Sequence, residues 1–279
     1  MADVPTGRRV RLPRRGTTFV HEATGPDGAP AVVLLHGLGA TAALNWPGAL
    51  EALAPHARVV ALDNRGHGRG LRSPWPFRLE DCADDVVALA DVLGIDRFVI
   101  AGYSMGGPIA LLAARRHPSR VSGLVMCATS ANFTNDDGRG PSRLGGVLAA
   151  SMRLTPPAMR RHVAGSAMSY FGVDEQLPPA MRAEFRRHDP AAILEATRAV
   201  RRFDARPWLG ELRAPAASVV TDRDRLVPRS RQLELARGVD AVLVPVDGDH
   251  DVALRTPGRF LPALVAAFRT VAAHAGSTA

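Results

Sequence analysis

Three short apolar runs, each opening into a loop that carries glycine, constrain this chain more than anything else in it. They are Ala31–Leu35 before His36-Gly37-Leu38-Gly39, Arg58–Leu62 before Asp63-Asn64-Arg65-Gly66-His67-Gly68, and Arg97–Ala101 before Gly102-Tyr103-Ser104-Met105-Gly106-Gly107. A fourth run follows at Val121–Cys127. Segments of helical character lie between them: Ala49–Ala54, Leu79–Leu93 stopped by Gly94, and Met105–Arg116 ended by His117-Pro118. Strands that are apolar throughout are strands buried on both faces. When they alternate with helices, the sheet is parallel and has helices on either side. In such sheets ligands bind at the carboxyl ends of the strands, where these loops fall.

The pattern breaks near residue 130. From Asn132 to Arg206 short helical pieces are cut by Gly140-Pro141, Pro156-Pro157, Pro178-Pro179 and Pro190, with no strand among them. The strand–helix rhythm resumes at Ala216–Thr221 and Ala241–Val246, and a last helix is expected over Gly258–Ala273. With Thr17–His21 and a first strand around Val10-Arg11-Leu12, the fold class is α/β, a mostly parallel sheet of about eight strands. We expect residues 1–130 and 207–279 to form one core, interrupted by a helical cap insertion over 131–206.

Composition excludes several classes. The chain of 279 residues carries a net charge of +8, and every basic residue is arginine. A nucleic-acid binder gathers its charge into patches; here the arginines are dispersed among acids, so no nucleic-acid partner is expected. The one cluster, Arg8, Arg9, Arg11, Arg14 and Arg15, reads as a charged edge strand that resists edge pairing. No apolar run reaches the ~20 residues of a membrane helix. Cys82 and Cys127 read as buried free thiols, and the expectation is a cytoplasmic protein with no membrane insertion.

A serine between glycines at a strand-to-helix turn is the setting of a nucleophile elbow. Side chains at 102 and 106 would collide with nearby backbone, and the tight turn pushes the Ser104 hydroxyl out above the sheet. Serine needs a base, and the base needs a carboxylate to hold its tautomer. In this arrangement the chain order is Ser, then Asp or Glu, then His. Asp224 follows the strand at 216–221, and His250 follows the strand at 241–246. Asp222 is a rival acid in the same loop. Asp249 and Asp251 flank His250, too close in sequence to orient its ring as a triad acid does.

These residues resemble the α/β-hydrolase fold family over nearly the full length. His36–Gly39 resembles the family's oxyanion loop, Asp63–Gly68 the turn after its next strand, and Gly102–Gly107 its elbow. Asp224 and His250 fall where the family keeps acid and base. Thr221 and Asp249 depart from it, standing where glycine is common. The resemblance implies a catalytic set of Ser104, Asp224 and His250, with the backbone N–H groups of Leu38 and Met105 as oxyanion hole. It implies a serine hydrolase acting on a carboxylic ester, with an apolar small-molecule acyl substrate of unspecified acyl size, and with no cofactor and no metal. The same triad also serves thioesters, lactones, C–C cleavage and perhydrolysis, or a receptor with slow turnover.

Other residues have competing readings. Gly37-Leu38-Gly39-Ala40-Thr41-Ala42 with Asp63 nearly spells a dinucleotide fingerprint, which would make the chain an NAD(P) enzyme. Asn45-Trp46-Pro47-Gly48 argues against the helix that reading needs, and Ser104, Asp224 and His250 stay unexplained by it. Among nine histidines, His36 and His67 read as loop-shaping, and His21, His56, His117, His162, His188 and His274 as surface or packing residues. Met152, Met159, Met168, Tyr170, Phe171, Met181 and Phe185 are candidates either to line an adaptable pocket or to pack between short helices.

Overall fold

The computed structural model describes residues 7–133, 151–156, 159 and 179–276. Strands β1 (Gly7–Leu12) and β2 (Gly16–Ala23) form a hairpin, with Gly7 opposite His21. Then come β3 (Ala31–Leu35), α1 (Ala42–Asn45), α2 (Ala49–Leu53), β4 (Arg58–Leu62), α3 (Leu79–Val92), β5 (Phe98–Tyr103), α4 (Gly106–Arg116) and β6 (Val121–Cys127). After the interruption follow α5 (Pro179–Phe185), α6 (Pro190–Arg202), a 3₁₀ turn (Arg206–Glu211), β7 (Ala216–Thr221), α7 (Arg229–Gly238), β8 (Val242–Val246), α8 (Val252–Arg255) and α9 (Pro257–Gly276).

The eight strands lie in the order β1-β2-β4-β3-β5-β6-β7-β8. The run from β4 to β8 is parallel, and β2 is antiparallel to both its neighbours. Leu35 stands beside both Leu62 and Gly102, so three strands end level and their loops emerge on one rim. Residues alternate between two cores. Val33, Leu35, Ile100 and Met126 face α3, α4 and Leu235 of α7. Val32, Leu34, Val99 and Val125 face α2, α8 and α9. This two-sided burial explains why the strands read as continuous apolar runs.

The N-terminal arginines behave as an edge strand. Arg8, Arg9 and Arg11 are exposed along β1. Arg15 turns inward to Asp85 of α3 at 2.8 Å, and the Arg65 guanidinium grips the same buried carboxylate with two bonds, at 2.8 and 2.9 Å. Cys82 and Cys127 are buried and unpaired. No helix among the described residues is long and apolar enough to cross a membrane.

One element escaped the sequence reading. Asn45-Trp46-Pro47-Gly48 does break the helix, but α1 forms a single turn, Ala42–Asn45, that the sequence did not announce. The Thr41 hydroxyl accepts the Leu44 N–H at 3.3 Å, and the turn ends at Trp46, beyond which Gly48 takes a left-handed φ of 73°.

Of the segment between β6 and β7, residues 134–150, 157–158 and 160–178 lie outside the described residues, and with them His162, Met168, Tyr170 and Phe171. The described remainder is helical. Its neck is closed: Asn132 bridges Asp204, and Ala205 N–H donates to Ala131 C=O at 2.8 Å. Asp189 caps α6 by accepting the Ala191 N–H, and its own N–H donates to Gly66 C=O at 2.8 Å.

Candidate active site

Ser104 occupies the apex between β5 and α4 with φ of 49°, in the left-handed region that side chains other than glycine rarely adopt. The strain is held by its surroundings. Ser104 N–H donates to Cys127 C=O at 3.0 Å, and Ser104 C=O accepts from the Gly107 N–H and the Thr129 hydroxyl. The expected collisions are present: a Cβ on Gly102 would meet the Gly106 carbonyl, and one on Gly106 would meet the Leu35 carbonyl. Gly107 is equally confined, against the Thr129 side chain.

Asp224 and His250 come to this serine from separate loops. His250 Nδ1–H donates to Asp224 Oδ2 at 2.7 Å, and His250 Nε2 lies 3.0 Å from the Ser104 hydroxyl oxygen. Asp224 also accepts the N–H groups of Leu226 and Val227, each at 2.8 Å, and the Thr221 hydroxyl at 3.0 Å. Burial pushes its carboxyl pKa up, but the bonds from His250, Val227 and Thr221 outweigh that and hold it below the usual carboxylate range. Asp224 therefore stays ionised behind the ring. Asp222 turns outward to pair with Arg229 at 2.8 Å. Tyr103 donates its hydroxyl to His250 C=O at 2.6 Å, which anchors the histidine loop to the elbow strand. A serine, an imidazole and a carboxylate joined this way can pass a proton from hydroxyl to ring while the carboxylate stabilises the imidazolium.

The glycine loop after β3 packs beside the elbow; a Cβ on Gly37 would stand 3.3 Å from Ser104 Cβ. Asn45 Oδ1 accepts the Gly37 N–H at 2.8 Å. His36 is fully buried and its tautomer is fixed by its partners. Asn64 N–H donates to Nε2 at 2.9 Å, so Nδ1 carries the proton and donates to Gly37 C=O at 2.8 Å. In a trans peptide the carbonyl and the following N–H point opposite ways. Holding the Gly37 carbonyl toward His36 thus turns the Leu38 N–H away from it. Asp63, the acid of the near-fingerprint, is buried and spent inside the fold on the N–H groups of Ala42 and Arg69. With α1 only one turn long, the loop lacks the helix of a dinucleotide site.

His188 was read as a packing or surface residue, and the structure gives it more to do. It comes from the segment between α5 and α6 and joins two of the core's loops. Gly68 N–H donates to its Nδ1 at 2.8 Å, and its Nε2–H donates to Gly39 C=O at 3.0 Å. Its ring lies 5.4 Å from His67, which in turn lies 5.1 Å from His36. Burial lowers the His36 and His188 pKa values to about 4 and holds His67 well below its ordinary value, so all three are neutral. No local pattern marks His188, since its partners are about 120 and 149 residues away.

Ser104 and His250 open on a chamber of about 670 Å³, walled by Leu38, Met105, Phe133, Phe185, Val200 and Leu226 among others. Of the aromatic and methionine candidates, Phe185 reaches this wall; Met159 is exposed, and the side chain of Met181 is outside the described set. No group of three His, Cys, Asp or Glu among the described residues is arranged to hold a metal.

A sequence profile of the alpha/beta hydrolase fold matches residues 30–255. The chain belongs to the α/β-hydrolase fold family. Its relatives include hydrolases. One, from Agrobacterium fabrum and described as a carbamate hydrolase, RutD, is 32% identical over 258 residues, covering 86% of this chain and 93% of that one. A pimeloyl-[acyl-carrier protein] methyl ester esterase from Neisseria meningitidis is 29% identical over 209 residues, 73% of this chain and 64% of the relative. Among solved structures, a hydrolase from Pseudomonas aeruginosa superposes with a TM-score of 0.76 at 23% identity, covering 94% of this chain and 98% of that chain. The eight-stranded sheet and its loops are thus the family's fold.

Proposed function

We propose that this α/β-hydrolase cleaves carboxylic esters through an acyl-enzyme, with Ser104 as nucleophile, His250 as base and Asp224 as its orienting acid. The observation that carries the proposal is the unbroken line of hydrogen bonds from Asp224 through His250 to the Ser104 hydroxyl, at 2.7 and 3.0 Å, at the floor of the chamber.

His250 takes the hydroxyl proton as Ser104 attacks the acyl carbon. The N–H groups of Leu38 and Met105 hold the oxyanion that forms. Met105 precedes α4, where backbone donors lack helical partners. The His36 contact to Gly37 C=O supports the role of Leu38, because it presets the peptide that carries the donor. The imidazolium, steadied by Asp224, then protonates the leaving alcohol. Water repeats the cycle on the acyl-enzyme and restores Ser104. We assign residues 131–206 as a cap over the site, on the ground that Phe133, Phe185, Thr197 and Val200 wall the chamber from that segment.

The test is labelling with a fluorophosphonate, followed by turnover of matched ester, thioester, lactone and carbamate substrates. Labelling of wild type and none of Ser104→Ala is expected, with the ester turned over fastest. Labelling that survives Ser104→Ala refutes the nucleophile. Fastest turnover of the carbamate, the substrate class named for the Agrobacterium relative, keeps the triad and replaces the ester.

A further inference from the structure

The chamber wall is mostly hydrocarbon, and nearly every charge on it is already engaged. His250 is held by Asp224 and Ser104. Asp251 and Arg255 also line the chamber and face each other at 3.4 Å. Among neutral groups, Asn45 gives its oxygen to Gly37 N–H, Tyr103 donates to His250 C=O, and Thr197 donates to Ile193 C=O. Arg201 remains. It lines the same chamber and has no carboxylate partner among the described residues.

Its placement is built into a helix. Thr197, Val200 and Arg201 are spaced as one face of α6, and all three line the chamber. Arg202, exposed like Arg201, is not among the residues that line the chamber. The element is fixed by Asp189 capping its start and by Ala191, Ala192 and Ala196, which are buried. The guanidinium is therefore carried on a rigid wall and not on a loose loop.

We propose that Arg201 binds a carboxylate at the end of the substrate remote from the bond that is cut. This rests on the reading of Ser104 as the hydrolytic centre and narrows its substrate class to esters that carry a free acid. The planar guanidinium fork matches a carboxylate with two parallel bonds. Leu38, Leu44, Phe133, Phe185 and Val200 accommodate the hydrocarbon between acid and ester. A wholly apolar substrate would leave the guanidinium without a counter-ion. The positive net charge of the chain favours the approach of anions.

The experiment compares kcat/KM for the mono-p-nitrophenyl ester of glutaric acid, whose far end is a carboxylate, with that for p-nitrophenyl pentanoate. Wild type is expected to favour the acid ester by about tenfold or more, as a charge-assisted pair would. Arg201→Gln is expected to lower that ratio about tenfold, Arg201→Lys to restore part of it, and Arg202→Gln to leave it in place. A ratio that Arg201→Gln does not change overturns the proposal. If neither ester is cleaved, the ester reading fails, and titration calorimetry with glutarate tests the arginine separately. Glutarate binding that disappears in Arg201→Gln supports the site. Equal binding in both proteins, or none in wild type, overturns it. Inorganic phosphate titrated in parallel distinguishes the anion; tighter binding of phosphate than of glutarate overturns the carboxylate assignment.

Discussion

Replacing Asp224 by Asn should silence the enzyme by turning one ring around. The two oxygens of Asp224 have different tasks. Oδ1 accepts the backbone N–H groups of Leu226 and Val227, and Oδ2 accepts His250 and the Thr221 hydroxyl. An asparagine must choose which side receives its NH₂. Backbone donors cannot reverse, so placing the NH₂ at Oδ1 would leave two buried N–H groups unsatisfied, at about 1–3 kcal/mol each. The amide therefore keeps its oxygen there and presents N–H to His250 Nδ1. The ring must then carry its proton on Nε2, where it donates to Ser104 and cannot accept. The productive tautomer is reached only at a cost of about 2–6 kcal/mol, which corresponds to a fall in kcat of roughly 30-fold to 10⁴-fold. KM should change little, because Asp224 lies behind the ring and does not line the chamber. The assay is steady-state hydrolysis of a p-nitrophenyl ester, with circular dichroism to verify folding. Asp222→Asn, which loses only an exposed pair with Arg229, is the control and should stay within about twofold. An Asp224→Asn enzyme within threefold of wild type, or an equal loss in Asp222→Asn, would refute this account.

Gly102→Ala should cost about 3 kcal/mol or more, because the new methyl meets the Gly106 carbonyl, which is backbone and cannot rotate aside. An unchanged urea midpoint would show that the elbow has slack. Stability should also fall with acid below about pH 6.5. His36 and His188 titrate near pH 4 when folded and near 6.5 when unfolded, so the unfolded chain binds the extra protons between those values. Their contribution is fully present above pH 6.5 and is lost as pH drops toward 4, by up to about 1.4 kcal/mol per pH unit for each histidine. Asp63, raised by burial, offsets part of this. Urea titrations at pH 7 and pH 5 measure the slope, which His188→Asn should flatten. His188→Ala, which strands Gly68 N–H and Gly39 C=O, should destabilise by about 2 kcal/mol and slow fluorophosphonate labelling of Ser104. A labelling rate equal to wild type would separate His188 from the active-site loops.

Much of this was readable because the decisive signals are local. The glycines at 102 and 106 announce close backbone approaches, and the apolar runs before the glycine loops can only be strands covered on both sides. The order Ser104, Asp224, His250 is also visible along the chain, since each follows a strand. Distinguishing Asp224 from Asp222 needed the loop's conformation, which sends one carboxylate inward and the other to Arg229. His188 and Arg201 were out of reach for another reason. His188 gains its partners from loops distant in sequence, and Arg201 its place on the chamber from the folding of α6 over the sheet; along the chain one reads as an ordinary loop residue and the other as an ordinary helix-surface residue. The one-turn α1 was missed because a single Thr41 hydroxyl suffices to start so short a helix.

The neck between Ala131 and Ala205 has a consequence for how such a protein can change over generations. The chain leaves the sheet and returns at one point, sealed by the Asn132–Asp204 bridge and the bond from Ala205 to Ala131. Closing a longer excursion there costs only about 0.6 kcal/mol for each doubling of its length. Insertions or deletions beyond the neck therefore need not disturb the register of β6 against β7. The part that walls the chamber can drift toward new substrates while the machinery beneath it is inherited intact.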